Sequence, residues 1–465
     1  MGDRRLRQRW DRLREAVQSR VWPLPTAAIV GGVILGVALP ELDRVLDPII
    51  PEWLGALLFA GAPDSARAML SAISGSLITV TSLTFSLTVV ALQLASSQAS
   101  PRLLRMFASD RRVHATLAMF LGTFAFAMTV LRSVRSADES VIDDTGFVPR
   151  IAVSLTFILM LVAVVALTLF LAHLATRLRV ETMLRDVHGE TTRSIRSLFS
   201  EEPPGDDAHE LPIEPRGRRL ALATRSGFLV GVDRTALRGL AVRENLVISV
   251  DTAVGEDLIE GVPIASWWPR DILEGPRPDD TEATERINAA IARAHLVEYE
   301  RTSVQDVGFG LRQLVDVAVK ALSPGVNDPT TAVHALGHVS SVLGDLVSRP
   351  IPSTVERDDD GVIRVVGRQL DLDALLDVAI TGPRQYGAGD LEVALRLLRL
   401  LREVAWRSIH PELVNGIRRR ATEVLAAAET PDRTRDELAR LAAARTAVLE
   451  ALEQRWPVPG AGTAS

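Results

Sequence analysis

Apolar and charged positions alternate in long blocks over the first 175 residues, and then the texture changes. Residues 24–39 carry no charge, and residues 69–100 run uncharged for longer still. Residues 113–131 hold one ionisable group, His114, near their start, and residues 151–172 hold none. Hydrocarbon offers a bare backbone amide no partner, so such runs are expected to be helices. The predicted spans are 24–39, 69–95, 113–131 and 151–172, the first of them short for a full crossing. Charge alternates between them. The leader 1–23 has seven Arg against three acids, while loop 40–68 has five acids against two Arg. Loop 96–112 is basic again, 132–150 is acidic, and Arg177, Arg179 and Arg185 follow the last span. The positive-inside rule then places both termini in the cytoplasm.

Beyond the spans, residues 176–217 read as a helix and a Pro- and acid-rich linker. Short β-rich runs follow at 220–224, 227–232, 246–250 and 262–265, set off by Gly and Asp. They predict a small β-barrel-like or hammerhead module over 218–270. Its turn, VGEDLIEGVP at 254–263, is similar to that of biotinyl and lipoyl carriers. The carrier lysine is missing, because the only Lys is Lys320, and no covalent cofactor is expected. Helical spacing returns over 280–456, with helices expected at 310–322, from 330, and at 391–409, 412–428 and 432–454. A loose tail, 457–465, ends the chain. The expected fold is mainly α: a four-helix transmembrane domain over 24–175, then a cytoplasmic region with a small β-barrel-like module and a helical domain.

The chain has 465 residues, no cysteine and a net charge of −6. Thiolate chemistry and disulfides are thereby excluded. The charge is uneven: 16 Arg against 13 acids up to residue 175, then 36 basic against 45 acidic residues. An acidic C-terminal region argues against a nucleic-acid surface. No phosphate loop, dinucleotide fingerprint or nucleophile elbow is present, so an enzyme is not expected.

Span two carries unusually many hydroxyls. At the helical angle, Thr79, Ser82, Ser86, Gln93 and Ser97 fall on one stripe. Ser74, Thr81 and Thr88 form a second, shorter one. A water-lined conduit needs such dipoles, and helix–helix packing uses the same residues; both readings stand. Asn327 and Asp328, in the turn 323–329, suit a helix cap and equally a ligand or partner contact. His334 and His338 have the spacing of two zinc ligands, but Ala335 stands where a metalloprotease has its base and no third ligand is evident, so no metal is expected. Arg102, Arg105, Arg111 and Arg112 are expected beside anionic lipid headgroups. The run Arg418–Arg420 reads as a solvated face.

Three blocks, TSLTFSLTVVALQLASSQASPRLLRMFASDR (81–111), FGLRQLVDVAVKALSPGVNDPTTAVHAL (309–336) and RQYGAGDLEVALRLLRLL (384–401), resemble a bacterial family of predicted membrane proteins of unknown function. The likeness covers nearly the whole chain. It implies a multi-pass protein of the bacterial inner membrane with a cytoplasmic C-terminal region, and it brings no catalytic residue or substrate. Four spans enclose little space, so a conduit implies a homo-oligomer. The functional expectation is an oligomeric channel-like protein; the alternative is a membrane-anchored sensor or scaffold with a cytoplasmic ligand or protein partner.

Overall fold

The computed structural model describes residues 22–46, 51, 53, 58–98, 110–135, 147–177, 179–199, 218–270, 280–301 and 306–456. The chain divides into two compact units, Met1–Met183 and Leu184–Ser465.

The first unit is built from α1 (Pro23–Leu46), α2 (Pro63–Gln98), α3 (Arg111–Ser133) and α4 (Arg150–Arg177). All four are long and apolar enough to cross a membrane. The short first run is rescued by its helix continuing past Pro40 to Leu46. Its 24 residues then reach about 36 Å, more than the hydrocarbon thickness of about 30 Å. Helix α3 is central, with 50% of its membrane window buried against 17–22% in the others. Small residues make this possible. A Cβ on Gly32 of α1 would collide with the Gly122 carbonyl of α3, and one on Gly36 would strike Thr129. Glycines four apart thus let the α1 and α3 backbones touch. Phe120 and Phe126 of α3 then fill the space toward α2 and α4, beside Ile73, Leu77, Ala127 and Val153.

The C-terminal end of α1 and the N-terminal end of α4 are tied by a carboxylate. Asp43, 2% exposed, accepts from the Ile151 and Ala152 amides at 3.0 Å each. The first turn of α4 has unpaired amides and the positive end of the helix dipole, and Asp43 serves both from another helix. Arg150 Nε donates to the Phe59 carbonyl at 3.0 Å, and Ser154 Oγ accepts from the Phe59 amide at 2.8 Å.

The second unit combines open sheets with helices. Helix α5 (Val180–Leu198) leads into it. Strands β1 (Arg219–Leu222), β2 (Gly227–Val232), β3 (Leu246–Val250), β4 (Asp257–Leu258), β5 (Pro263–Pro269), β6 (His295–Glu298), β7 (Val355–Arg357) and β8 (Ile363–Val366) follow. They form a five-stranded sheet, ordered β1-β5-β3-β8-β7, and a three-stranded sheet, ordered β4-β2-β6. The expected barrel-like closure is therefore corrected: both sheets are open. Strand β3 (LVISV) is buried at all five positions, so it needs a neighbour on each side. It finds β5 antiparallel and, from far along the chain, β8 parallel. Helices α6 (Arg234–Arg243) and α7 (Thr281–Ala294) cover one face, packing Leu237, Ile287 and Ile291 against Ile248 and Trp267. Trp267 Nε1 donates to Asn288 Oδ1 at 2.8 Å.

The helices α8 (Val307–Ala321), α9 (Pro329–Val347), α10 (Leu372–Gly387), α11 (Leu391–Arg407), α12 (Leu413–Ala428) and α13 (Arg435–Leu452) complete the unit. Part of the acidity of this region is explained by their starts. Asp233, Asp280, Asp306, Asp328, Asp371 and Asp390 each accept a backbone amide as an N-cap, an arrangement worth about 1 kcal/mol apiece. Within the run 418–420, Arg420 departs from the solvated reading. It is 2% exposed and binds Asp373 Oδ1 at 2.6 Å, in space left by Gly416.

Candidate functional site

Helix α2 has two unlike faces. Leu70, Ile73, Leu77 and Ala91 are buried, together with the polar Ser74, Thr81 and Thr84. Thr81 and Thr88 return their hydroxyl protons to the carbonyls of Leu77 and Thr84, at 2.6 and 2.8 Å. Such i−4 bonds satisfy a hydroxyl without any neighbour helix. The second, shorter stripe thus faces the chain's own helices.

The first stripe faces away from them. Thr79, Ser82, Ser86 and Gln93 are all exposed, as are Ser71 and Gly75 on the same line. At 3.6 residues per turn the stripe lies roughly 170° around the helix from the packed face. Thr79 donates to the Gly75 carbonyl at 2.9 Å. Nothing stands within 4 Å of a Cβ built on Gly75. Ser97 belongs to α2, but its side chain lies outside the described residues. Apolar Ile78, Leu83, Phe85 and Leu94, each 43–58% exposed, flank the line. What the stripe offers chemically is a column of neutral dipoles: hydroxyls and one carboxamide, with no fixed charge.

A polar cluster closes the ends of α3 and α4. Asp110 caps α3 by accepting from the Arg112 amide at 2.9 Å. The same carboxylate lies 2.6 Å from His173 Nε2 and 3.5 Å from Arg177 Nε. Arg112 Nη1 stands 3.3 Å from His173 Nδ1. Arg111 and Arg112 are exposed; Arg102 and Arg105 lie outside the described residues. Neither Asp43 nor His173 stood out in the sequence, where one was an acid in a loop tally and the other a histidine at the end of a span.

In the second unit, Asn327 has φ +49°, the left-handed conformation that Asn tolerates best after Gly. Asp328 caps α9, accepting from the Thr331 amide at 3.0 Å and its hydroxyl at 2.6 Å, with Pro329 opening the helix. The Thr331 side-chain and backbone bonds hold its carboxyl below the usual carboxylate range. Asp328→Ala is expected to lower stability by about 1 kcal/mol, read as the midpoint of chemical unfolding, with membrane insertion unchanged. Unchanged stability with impaired activity would make this turn a ligand site instead.

Among the described residues, no three His, Asp or Glu side chains are grouped to hold a metal ion. No solved structure matches the chain. Uncharacterized proteins of Mycobacterium bovis and Mycobacterium tuberculosis are 33% identical over 414 residues, covering 89% of this chain and 77% of theirs. A further uncharacterized protein, from a second Mycobacterium tuberculosis strain, is 32% identical over the same length. The profile of the family described as "Predicted membrane protein (DUF2254)" matches residues 18–403. With four apolar helices inside that match, the chain belongs to the DUF2254 family of predicted membrane proteins.

Proposed function

We propose that this protein is a homo-oligomeric, channel-like conduit for ions or small polar solutes in the bacterial inner membrane, without catalytic activity. Several copies place α2 toward a common axis, and both termini lie in the cytoplasm. The observation that carries the reading is the outward direction of Thr79, Ser82, Ser86 and Gln93. In a single copy this face meets lipid, although the same helix has apolar positions enough for that role. Around a shared axis the hydroxyls and the carboxamide line water instead, and dipoles without fixed charge let a solute enter and leave. Arg111 and Arg112 sit at the headgroup level on the cytoplasmic side, against anionic lipid. The second unit assembles or gates the pore.

The alternative, a membrane-anchored sensor or scaffold, draws on the small size of the same residues, which suits close helix packing between subunits. Single cysteines separate the two readings, and the chain has no native cysteine to confuse them. Charged thiol reagents modify only thiols that meet water. Cysteines at Thr79, Ser82, Ser86 and Gln93 are expected to react, while those at lipid-facing Leu83 and Phe85 and at buried Leu77 stay protected. Protection at every position would remove the conduit and leave the scaffold.

A further inference from the structure

Helix α5 follows α4 in the chain, with only residues 178–179 between them. In the second unit it runs alongside α9. The His188 and His338 rings meet edge to face, centroids 5.1 Å apart. Arg196 stands 3.8 Å from Asp345, and Arg349 Nη1 donates to the Phe199 carbonyl at 3.1 Å. His334 lies one turn before His338 on the same helix and is exposed. Among the described residues, the buried Nδ1 of His188 has no hydrogen-bond partner.

His338 is half-buried and has basic neighbours. His188, His334 and Arg185 are the groups acting on it. Helix α5 also carries Asp186 and Glu190. Helix α8 brings Arg312, Asp316 and Lys320, and α10 brings Asp373, Asp377 and Arg384. Helix α11 brings Arg396, Arg399 and Glu403, with Glu403 engaged by both arginines and by Ser340. Asp345 stands 3.8 Å from Arg196 and 3.5 Å from Arg349, and its buried Oδ2 accepts no hydrogen bond among the described residues.

We propose that the His188–His334–His338 seam is a proton-responsive latch, closed at neutral pH and opened by mild acidification, which frees α5 from α9. Burial pushes the His338 imidazole below its usual range, and the neighbouring His188, His334 and Arg185 push the same way. Release of α5 exposes His338 of α9 to water, so the open state takes up a proton on His338 more readily than the docked one. Docking weakens as pH falls through the ordinary histidine value of about 6.5, and goes on weakening until docked His338 is itself protonated. Helix α5 follows the last span in the chain. The latch does not depend on whether the spans conduct.

Hydrogen exchange on the full-length protein in detergent, read in peptides covering residues 184–198, tests this. After correction for the intrinsic pH dependence of exchange, protection is expected to fall about tenfold between about pH 7.5 and about pH 5.5. The double variant His188→Gln, His338→Gln should lose that dependence. His334→Gln, at an exposed position that does not threaten folding, should reduce it. Equal protection at both pH values in the unmodified protein would overturn the latch, as would the same loss in all three proteins. Loss of protection at the higher pH on adding a chelator would also overturn it, because the seam would then be a metal clamp.

Discussion

Asp43→Ala is expected to destabilise the membrane unit by about 2–6 kcal/mol. The carboxylate is buried and serves two backbone amides in the first turn of α4. Leaving a buried donor unsatisfied costs about 1–3 kcal/mol, and here two are left at once. The cost falls on a helix end that cannot be re-solvated without parting α1 from α4. Asp43→Asn keeps one acceptor oxygen and should lose less than Asp43→Ala. Thermal unfolding of the purified protein in detergent reads both, with the order native, Asn, Ala. Native-like unfolding of the Ala variant would mean that α4 is capped by something else.

How Asp43 acts could not be read in the sequence, and the reason is geometric. In the linear chain it is one acid among five in loop 40–68 and contributes to the orientation argument. Its partners lie more than 100 residues away, and hydropathy says nothing about which carboxylate folds back onto which helix end. The end of α1 was hidden for a related reason. Glu41, Asp43 and Arg44 close the apolar run, but a helix ends where its hydrogen bonds end, at Leu46. Strand β3 was legible within its own five residues, whereas its neighbour β8 comes from beyond three more helices. That distant pairing opened the module that local order had suggested was closed. The stripe on α2 was different. Its period placed Thr79, Ser82, Ser86 and Gln93 on one line, and what remained unknown was the side facing the chain's other helices. That depended on where Leu70, Leu77 and Ala91 found partners, which is a property of α3 and α4.

The second large effect concerns that stripe. Ser86→Phe is expected to abolish conduction in an oligomeric pore while leaving the subunit folded. Ser86 is exposed on the face opposite the packed one, so the added ring meets no atom of its own chain's packed face. Exposed substitutions of this kind usually change stability by within about 0.5 kcal/mol. Around a shared axis, however, every copy would project one ring inward, and several rings fill a narrow lumen. The comparison is Phe85→Ser, one residue away on the lipid-facing flank, which should conduct like the native protein. Equal loss in both variants would indicate a folding effect and remove Ser86 from the lumen.

Conduction itself is the claim on which the proposed function turns. Recording from purified native protein in planar lipid bilayers tests it most directly. The account predicts discrete conductance steps, which a charged thiol reagent blocks in the Ser86→Cys protein and leaves untouched in the cysteine-free parent. Silent bilayers with folded, correctly inserted protein would contradict it.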